Sequence, residues 1–271
     1  MGEALLRRDG EGTPPAFQGG NCVPPIDTAV LAGLIFGAAL LYSSVGHAGA
    51  SGYIAAMVLM GLAPAVIKPS ALTLNILVAT LATARWTRNG RDLAWKSLLP
   101  LVAGSIPAAF IGGAVQLPMG AYKLLLGLML LAAGISFLVR PSAAASLDTP
   151  QTRVPWTAGL ATGAGVGLLS GLSGTGGGIF LSPLLLLFSW ANARQASGLV
   201  APFILVNSVA ALAGNVAALR SLPGELPLFI VAALAGALAG TQVGIRWVSS
   251  ETLQRLLGVV LLVAAGKFLL G

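Results

Sequence analysis

Long apolar runs, separated by short polar segments, dominate the chain after residue 27. Several runs exceed ~18 residues, and at about 1.5 Å per residue such a helix crosses a hydrocarbon core of roughly 30 Å. Most of the runs lack the polar face that a helix on the surface of a soluble protein carries. The pattern therefore predicts an all-α membrane protein with about eight transmembrane segments.

The polar segments divide the chain into four parts. Residues 1–26 are rich in glycine and proline and are expected to form a flexible N-terminal tail. A first transmembrane repeat of four spans covers residues 27–140, a linker covers 141–153, and a second four-span repeat covers 154–271. In each repeat, a Gly-rich segment interrupts the first predicted element.

Small residues recur in the two halves at similar spacings, which indicates an internal duplication. The matches lie 125 residues apart at the Gly-rich segments and 132 residues apart near the ends of the halves. They pair Gly46 with Gly171, Gly49 with Gly174, Gly52 with Gly177, and Ala132-Ala133-Gly134 with Ala264-Ala265-Gly266. Whether the two repeats run parallel or inverted is open at this point.

The second Gly-rich segment contains the densest cluster of glycines in the chain. Five glycines fall between Gly171 and Gly178, inside an apolar run. Each glycine costs a helix roughly 1 kcal/mol relative to alanine, so the helix should break, and lipid cannot satisfy the freed amides. A helix restarting at about Ile179 would aim its free N–H groups at the break. This pattern predicts a small-anion site at membrane depth, and close helix packing is the alternative.

Polar residues accompany both Gly-rich segments and the span that follows each one. Hydroxyl groups there can donate to an oxyanion or cap a restarting helix, and Asn75 and Asn207 can bind a ligand or hold helices together. His47, the only histidine, can bind an anion, carry a coupled proton or satisfy a free carbonyl. We expect the substrate site to comprise His47, Gly49, Ser51, Gly52, Asn75, Ser173, Gly174, Thr175, Gly176, Gly177, Gly178 and Asn207.

Two basic residues recur near a membrane boundary, one in each half. Lys68 is expected in a short turn bracketed by Pro64 and Pro69, and Arg194 in the corresponding turn of the second half. Such residues attract anions or, more commonly, anchor a helix end in the interface.

Composition and charge restrict the class and the topology. Charged residues make up 8% of the chain, against about 25% in soluble domains. The net charge of +7 comes largely from short loops, which indicates topology and excludes nucleic acid as a partner. If each broken element crosses once, both termini and the linker are cytoplasmic in a multi-pass inner-membrane (plasma-membrane) protein. A re-entrant half-helix would instead permit inverted repeats.

The chain offers little material for a metal site or for acid–base chemistry inside the membrane. Cys22 is the only cysteine, and no carboxylate falls in the middle of a predicted span. Thiolate clusters and oxygen-rich cation sites therefore lack ligands. We expect no metal and no organic cofactor.

The second half resembles the TauE/SafE family of sulfite and organosulfonate exporters. It carries the Gly-Gly-Gly-x-x-x-x-Pro pattern of that family in Gly176-Gly177-Gly178 and Pro183. The first half departs from the pattern, with Gly49-Ala50-Ser51-Gly52, a histidine and no matching proline. The resemblance implies secondary transport of small sulfur-containing anions by alternating access, and no enzyme activity. The partners it implies are the anion, the bilayer and, as an open case, a second copy of the chain.

Two alternatives come from other classes of protein. A passive anion channel would share the same sequence features. A rhomboid-like intramembrane protease would use Ser173, since Gly171-Leu172-Ser173-Gly174 fits its Gly-x-Ser-Gly pattern. That serine needs a base within hydrogen-bond reach, and the one histidine lies far earlier in the chain.

Overall fold

The computed structural model describes residues 25–44, 48–88, 95–139, 154–191, 193–246 and 250–270, all of them in helices or short connections. Within these residues there are ten α-helices. They are α1 (Pro25–Ser44), α2 (Ala50–Leu59), α3 (Pro64–Arg88), α4 (Trp95–Ala114), α5 (Met119–Val139), α6 (Trp156–Ser173), α7 (Gly178–Leu187), α8 (Ala193–Gly214), α9 (Leu226–Arg246) and α10 (Ser250–Leu270). A 3₁₀ helix, Val216–Ser221, precedes α9. His47, most of the predicted tail and the predicted linker lie outside the described residues.

The all-α membrane class is confirmed. By length and composition, α1 from Asp27 onward, α3, α4 and α5 can each cross a bilayer. Shorter apolar helices accompany them: α2, α7, the last part of α8 and most of α9. Many large apolar side chains are exposed on these helices, among them Ile111, Leu124, Val231 and Val263. This outward apolar surface is typical of a protein whose solvent is lipid.

The first Gly-rich element is a long helix followed by a short helix that turns back. A methyl group placed on Gly52 would lie 2.7 Å from the Cβ atom of Ala38. The Tyr42 hydroxyl also lies 2.5 Å from the Ser51 hydroxyl. Ala38 and Tyr42 belong to the last two turns of α1, so α2 runs back alongside the end of that helix. The alternative of a long helix plus a half-helix therefore describes this element better than one straight crossing.

Glycine seams hold two pairs of parallel helices together. In each seam a glycine sits directly on a backbone carbonyl of the neighbouring helix, an approach that a larger residue would prevent. Residue numbers rise together along both partners, so α4 runs parallel to α6 and α1 runs parallel to α9. The contacts are Gly104 with Leu160 and Gly112 with Leu168 in the first pair, and Gly236 with Phe36 and Gly240 with Leu40 in the second.

A third pair of helices, α5 and α10, packs in opposite directions. Gly134 of α5 faces Gly258 and Leu262, whereas Gly258 of α10 faces Gly134 and Leu138. Residue numbers therefore rise along α5 as they fall along α10. Each of the three pairs joins a helix from the first half to one from the second, so the halves interlock.

Candidate functional site

The second Gly-rich segment breaks the helix as predicted. Helix α6 ends at Ser173, and α7 begins at Gly178, one residue before the expected restart. Between them, Gly174, Gly176 and Gly177 have φ values of 83°, 74° and 81°, a left-handed conformation that side chains other than glycine rarely adopt. Gly177 caps α7 without a side-chain hydrogen bond. Phe180 and Leu181 donate their N–H groups to the Gly177 carbonyl, whereas the first two N–H groups of α7, those of Gly178 and Ile179, have no acceptor within the helix and lie at the break.

Two buried polar side chains from other helices converge on this break. A methyl group placed on Gly176 would lie 2.9 Å from the amide nitrogen Nδ2 of Asn75 and 3.0 Å from the hydroxyl oxygen of Ser208. Both residues are fully buried. Among the described residues, neither side chain has a hydrogen-bond partner, and for Asn75 this holds for both amide atoms. An unpaired buried polar group costs about 1–3 kcal/mol, so this cluster marks a place where a ligand would stabilise the protein.

One more polar residue, Ser170, lies beside Gly177. The Cβ atom of Ser170 and the ring edge of Phe203 would lie 3.3 and 3.1 Å from a methyl group on that glycine. The Ser170 hydroxyl has no partner among the residues that the structure describes. Asn207, one turn beyond Phe203, donates through Nδ2 to the Phe203 carbonyl at 2.9 Å, and its Oδ1 is unpaired. The structure thus brings Asn75, the second-break glycines and the α8 segment with Asn207 together.

Ser208 escaped the sequence-based prediction. It follows Asn207 directly in an otherwise apolar span, and it lies one helical turn after Ile204, which also contacts Gly176. This adjacency was the available signal, but which of two neighbouring polar residues faces the break depends on the rotation of α8.

Ser173 and Thr175 use their hydroxyls within the loop. Ser173 donates to the Leu169 carbonyl at 2.7 Å and lies 2.9 Å from the Thr175 hydroxyl. The Thr175 N–H donates back to the Ser173 oxygen at 3.3 Å. Tyr122 of α5 donates to the Ser173 carbonyl at 3.0 Å. These contacts shape the break, so the two hydroxyls are less available to a ligand than those of Ser170 and Ser208.

Lys68 does not lie in a turn between prolines, and this expectation was wrong. Pro64, Lys68 and Pro69 all belong to the first two turns of α3. The ammonium group is buried and donates to the carbonyls of Gly112, Gly113 and Val115 at 3.1, 2.9 and 3.0 Å. A lysine ammonium has three donors, so all are used. Lys68 therefore caps the C-terminus of α4, where carbonyls and the helix dipole favour a cation.

The first break has a similar backbone and different neighbours. Gly49, with φ of 92°, caps α2 without a side-chain hydrogen bond. The Tyr53 hydroxyl donates to the Ala48 carbonyl at 2.6 Å, and its oxygen would lie 2.7 Å from a methyl group on Gly49. Ser51 and Gly52 lie inside α2 and contact Tyr42. Among the residues predicted for the site at the first break, Gly49, Ser51 and Gly52 are described, and each lies against a tyrosine side chain.

Comparison with known proteins gives the class. Residues 30–268 match the family described as sulfite exporter TauE/SafE. The chain is also 41% identical over 242 residues to a probable membrane transporter protein, y4hK, of Sinorhizobium fredii (strain NBRC 101917 / NGR234), covering 88% of this chain and 97% of that protein. No solved structure matches the chain significantly. Both matches are to transporters, which overturns the protease alternative for Ser173. The chain is therefore a multi-pass membrane transporter that belongs to the TauE/SafE family.

Proposed function

We propose that the chain is a secondary transporter, and specifically an exporter, of small sulfur-containing oxyanions such as sulfite or organosulfonates. One observation carries the site: Asn75 and Ser208, which are fully buried and have no hydrogen-bond partner among the described residues, face Gly176 just before the start of α7. The description of the family as sulfite exporters supports the substrate class.

The chemistry of the break suits an oxyanion. The first N–H groups of α7 and the positive end of its dipole favour negative charge. The Asn75 amide and the Ser170 and Ser208 hydroxyls add donors that have no acceptor within the described ranges. A sulfonate group presents three acceptor oxygens in a compact pyramid, so a few convergent donors can hold it. Glycine at 176 and 177 keeps side chains out of the space between these donors and the backbone.

A flux experiment tests this proposal. Proteoliposomes loaded with unlabelled sulfite or isethionate should transiently accumulate labelled substrate above its outside concentration. Such counterflow requires a carrier, because a passive channel only equilibrates the label. Absence of any sulfite or sulfonate flux would overturn the substrate class, and flux without counterflow would favour the channel.

We also propose that the two halves are inverted repeats. In such a duplication α1 is equivalent to α6, α4 to α9, and α5 to α10. The α1–α9 pair and its equivalent, α6–α4, both run parallel, whereas α5 and α10 run antiparallel to each other. This packing supports inverted repeats. The short α4–α5 and α9–α10 connections must reverse the chain in a bilayer. Helix α1 then runs opposite to α6, so both termini share one side and the linker lies on the other.

This arrangement changes the expected orientation. Nine of the fifteen Lys and Arg then lie on the linker side, and six lie on the side of the termini. The nine are Arg85, Arg88, Arg91, Lys96, Arg140, Arg153, Arg194, Arg246 and Arg255, and the six are Arg7, Arg8, Lys68, Lys123, Arg220 and Lys267. Basic residues concentrate in the cytoplasm. The linker is then cytoplasmic and both termini face outward. With one crossing per broken element, the sequence had instead predicted that the linker and both termini are cytoplasmic.

The single cysteine allows a direct test of orientation. Cys22 lies in the N-terminal tail, before α1. A membrane-impermeant maleimide applied to intact spheroplasts should label it if the tail faces outward, and a Cys22→Ser variant is the background control. Labelling only after permeabilisation would return both termini to the cytoplasm.

A further inference from the structure

The second break has a polar side and an apolar side. On the polar side, Asn75 and Ser208 face Gly176. Among the described residues closest to Gly177 and Gly178, Ser170 is polar and the others are apolar. These apolar side chains are all buried and belong to Val166, Val200, Phe203 and Ile204. A ligand at the break therefore meets hydrogen-bond donors at one end and hydrocarbon at the other.

Ile204 of α8 contacts both sides of the break. A methyl group placed on Gly176 would lie 2.8 Å from its Cγ2 atom, close to the Asn75 amide nitrogen at 2.9 Å and the Ser208 hydroxyl at 3.0 Å. A methyl group placed on Gly178 would collide with its Cδ1 atom. One branched side chain thus reaches from the polar cluster to the first residue of α7.

The position of the Ile204 side chain is firmly set. Isoleucine is branched at Cβ, which leaves it one strongly preferred χ1 rotamer in a helix. Ile204 is also buried, and a close-packed interior resists the displacement of even one methylene group. Ile204 therefore forms a fixed wall of the break and not a flexible cover.

An alkylated oxyanion would turn its substituent toward this wall. In a sulfonate, the oxygen atoms lie at one end of the molecule and the carbon lies at the other. When the oxygens accept hydrogen bonds from Asn75, from Ser208 and from the free N–H groups at the start of α7, the carbon points away from these donors. It then lies on the apolar side, where the room beside Ile204 decides how long the substituent can be.

On the basis of the proposed function, we infer that Ile204 determines the size of the substrate by limiting the group attached to the oxyanion to a short one. A methylene group that fits against Val166, Val200 and Phe203 strengthens binding, because apolar surface leaves water. The first methylene group that strikes Ile204 weakens binding, because overpacking a filled interior is unfavourable. Isethionate, a two-carbon sulfonate, lies within the expected limit.

A series of unbranched alkanesulfonates isolates this effect, because all its members share one head group and one negative charge. Binding of methanesulfonate through hexanesulfonate is measured by calorimetric titration of the protein in nanodiscs, at one pH and one ionic strength. Affinity should first rise by about fourfold per added carbon and reach a maximum within the series. Hexanesulfonate should bind at least about fivefold more weakly than the member at the maximum.

Two variants assign the size limit to Ile204. Ile204→Ala removes about three carbons from the wall, so the maximum should move to sulfonates that are about two or three carbons longer. Hexanesulfonate should then bind at least about tenfold more tightly than it binds to the parent. Ile204→Val removes only the Cδ1 carbon that faces Gly178, and the maximum should move by about one carbon.

Leu199→Ala is the matched control for loosening α8. Leu199 is also buried in this helix, but it lies about 140° around the helix axis from Ile204 and so faces away from the break. Its dependence of affinity on chain length should equal that of the parent. A shift of the maximum as large as that in Ile204→Ala would show that the packing of α8 as a whole sets the limit, and the inference would be wrong.

The outcomes distinguish this inference from the proposed function. If affinity does not depend on chain length, if it rises without a maximum through hexanesulfonate, or if both Ile204 variants keep the profile of the parent, the inference is wrong while sulfonate transport stands. It is also wrong if sulfite or sulfonate flux is found and no alkanesulfonate binds. If neither binding nor flux is found, both are wrong. The unaltered protein and Ile204→Val decide the question even where Ile204→Ala does not fold.

Discussion

The two Gly-rich breaks share a backbone design and differ in what surrounds it. In each, a left-handed glycine, Gly49 or Gly177, precedes a helix of ten residues and caps it without a side chain. Around the first break, Tyr53 and Tyr42 pair with the Ala48 carbonyl and with Ser51. Around the second, Asn75 and Ser208 have no partners in the part of the chain that the structure describes. The same backbone turn therefore occurs twice with different neighbours, and we propose that the anion binds at the second, where polar side chains are unpaired.

The largest effect should come from filling the second break. Gly176→Ala would put a methyl group 2.9 Å from Asn75 Nδ2 and 3.0 Å from the Ser208 hydroxyl. We expect a loss of isethionate affinity of roughly a hundredfold, equivalent to about 2.7 kcal/mol, measured by calorimetric titration.

The chain offers a matched control for the strain of that substitution. Gly61 is also left-handed, with φ of 77°, and a methyl group there would meet no atom within 4 Å. Gly61→Ala should cost a similar ~1–2 kcal/mol of stability from backbone strain and leave binding intact. Equal losses of affinity in the two variants would show that strain, and not the filled break, is responsible.

The next largest effect should be on stability, at the junction between the second break and α4. Lys68→Met keeps the apolar stem and removes the ammonium that satisfies three carbonyls. We expect the free energy of unfolding to fall by about 2–3 kcal/mol, because the end of α4 is left unpaired. Thermal unfolding in detergent measures the loss, and isethionate affinity should be unchanged in the folded variant. A folded variant that no longer bound isethionate would identify Lys68 as an anion ligand.

A smaller effect should follow from opening the first break. Tyr53→Phe removes the hydroxyl that donates to the Ala48 carbonyl. The free energy of unfolding should fall by about 1 kcal/mol, with isethionate affinity unchanged. Tyr122→Phe, which removes the corresponding bond to the Ser173 carbonyl at the second break, is the comparison and should affect affinity as well. Strong loss of binding in Tyr53→Phe would place the first break in the site.

Local physics made much of this architecture predictable. The density of glycine located the second break to within one residue of the observed start of α7. Apolar runs and the absence of polar faces predicted the class, and Asn75, which the sequence pattern predicts for the site, does lie beside Gly176. These inferences depend on the backbone and on solvation, which neighbouring residues in the sequence determine.

Features that depend on distant contacts escaped the sequence. Lys68 caps carbonyls 44 to 47 residues away, and no local pattern shows that α4 ends beside α3. The Ser208 hydroxyl faces Gly176 because of the rotation of α8. The return of α2 along α1 depends on the small size of Gly52 against Ala38. In each case the contact involves a residue that is distant in the sequence, or it depends on how a helix is oriented by its packing.

The glycine seams have a mechanical consequence. Because α1 packs on α9 and α4 on α6, each of these glycine seams joins a helix from one half to a helix from the other. The rigid bodies that would move in the proposed alternating access therefore each contain helices from both sequence halves. A polypeptide cut between residues 141 and 153 should still assemble when both fragments are expressed together. Either fragment expressed alone would expose its seam glycines to lipid, because the helices that they pack against belong to the other fragment.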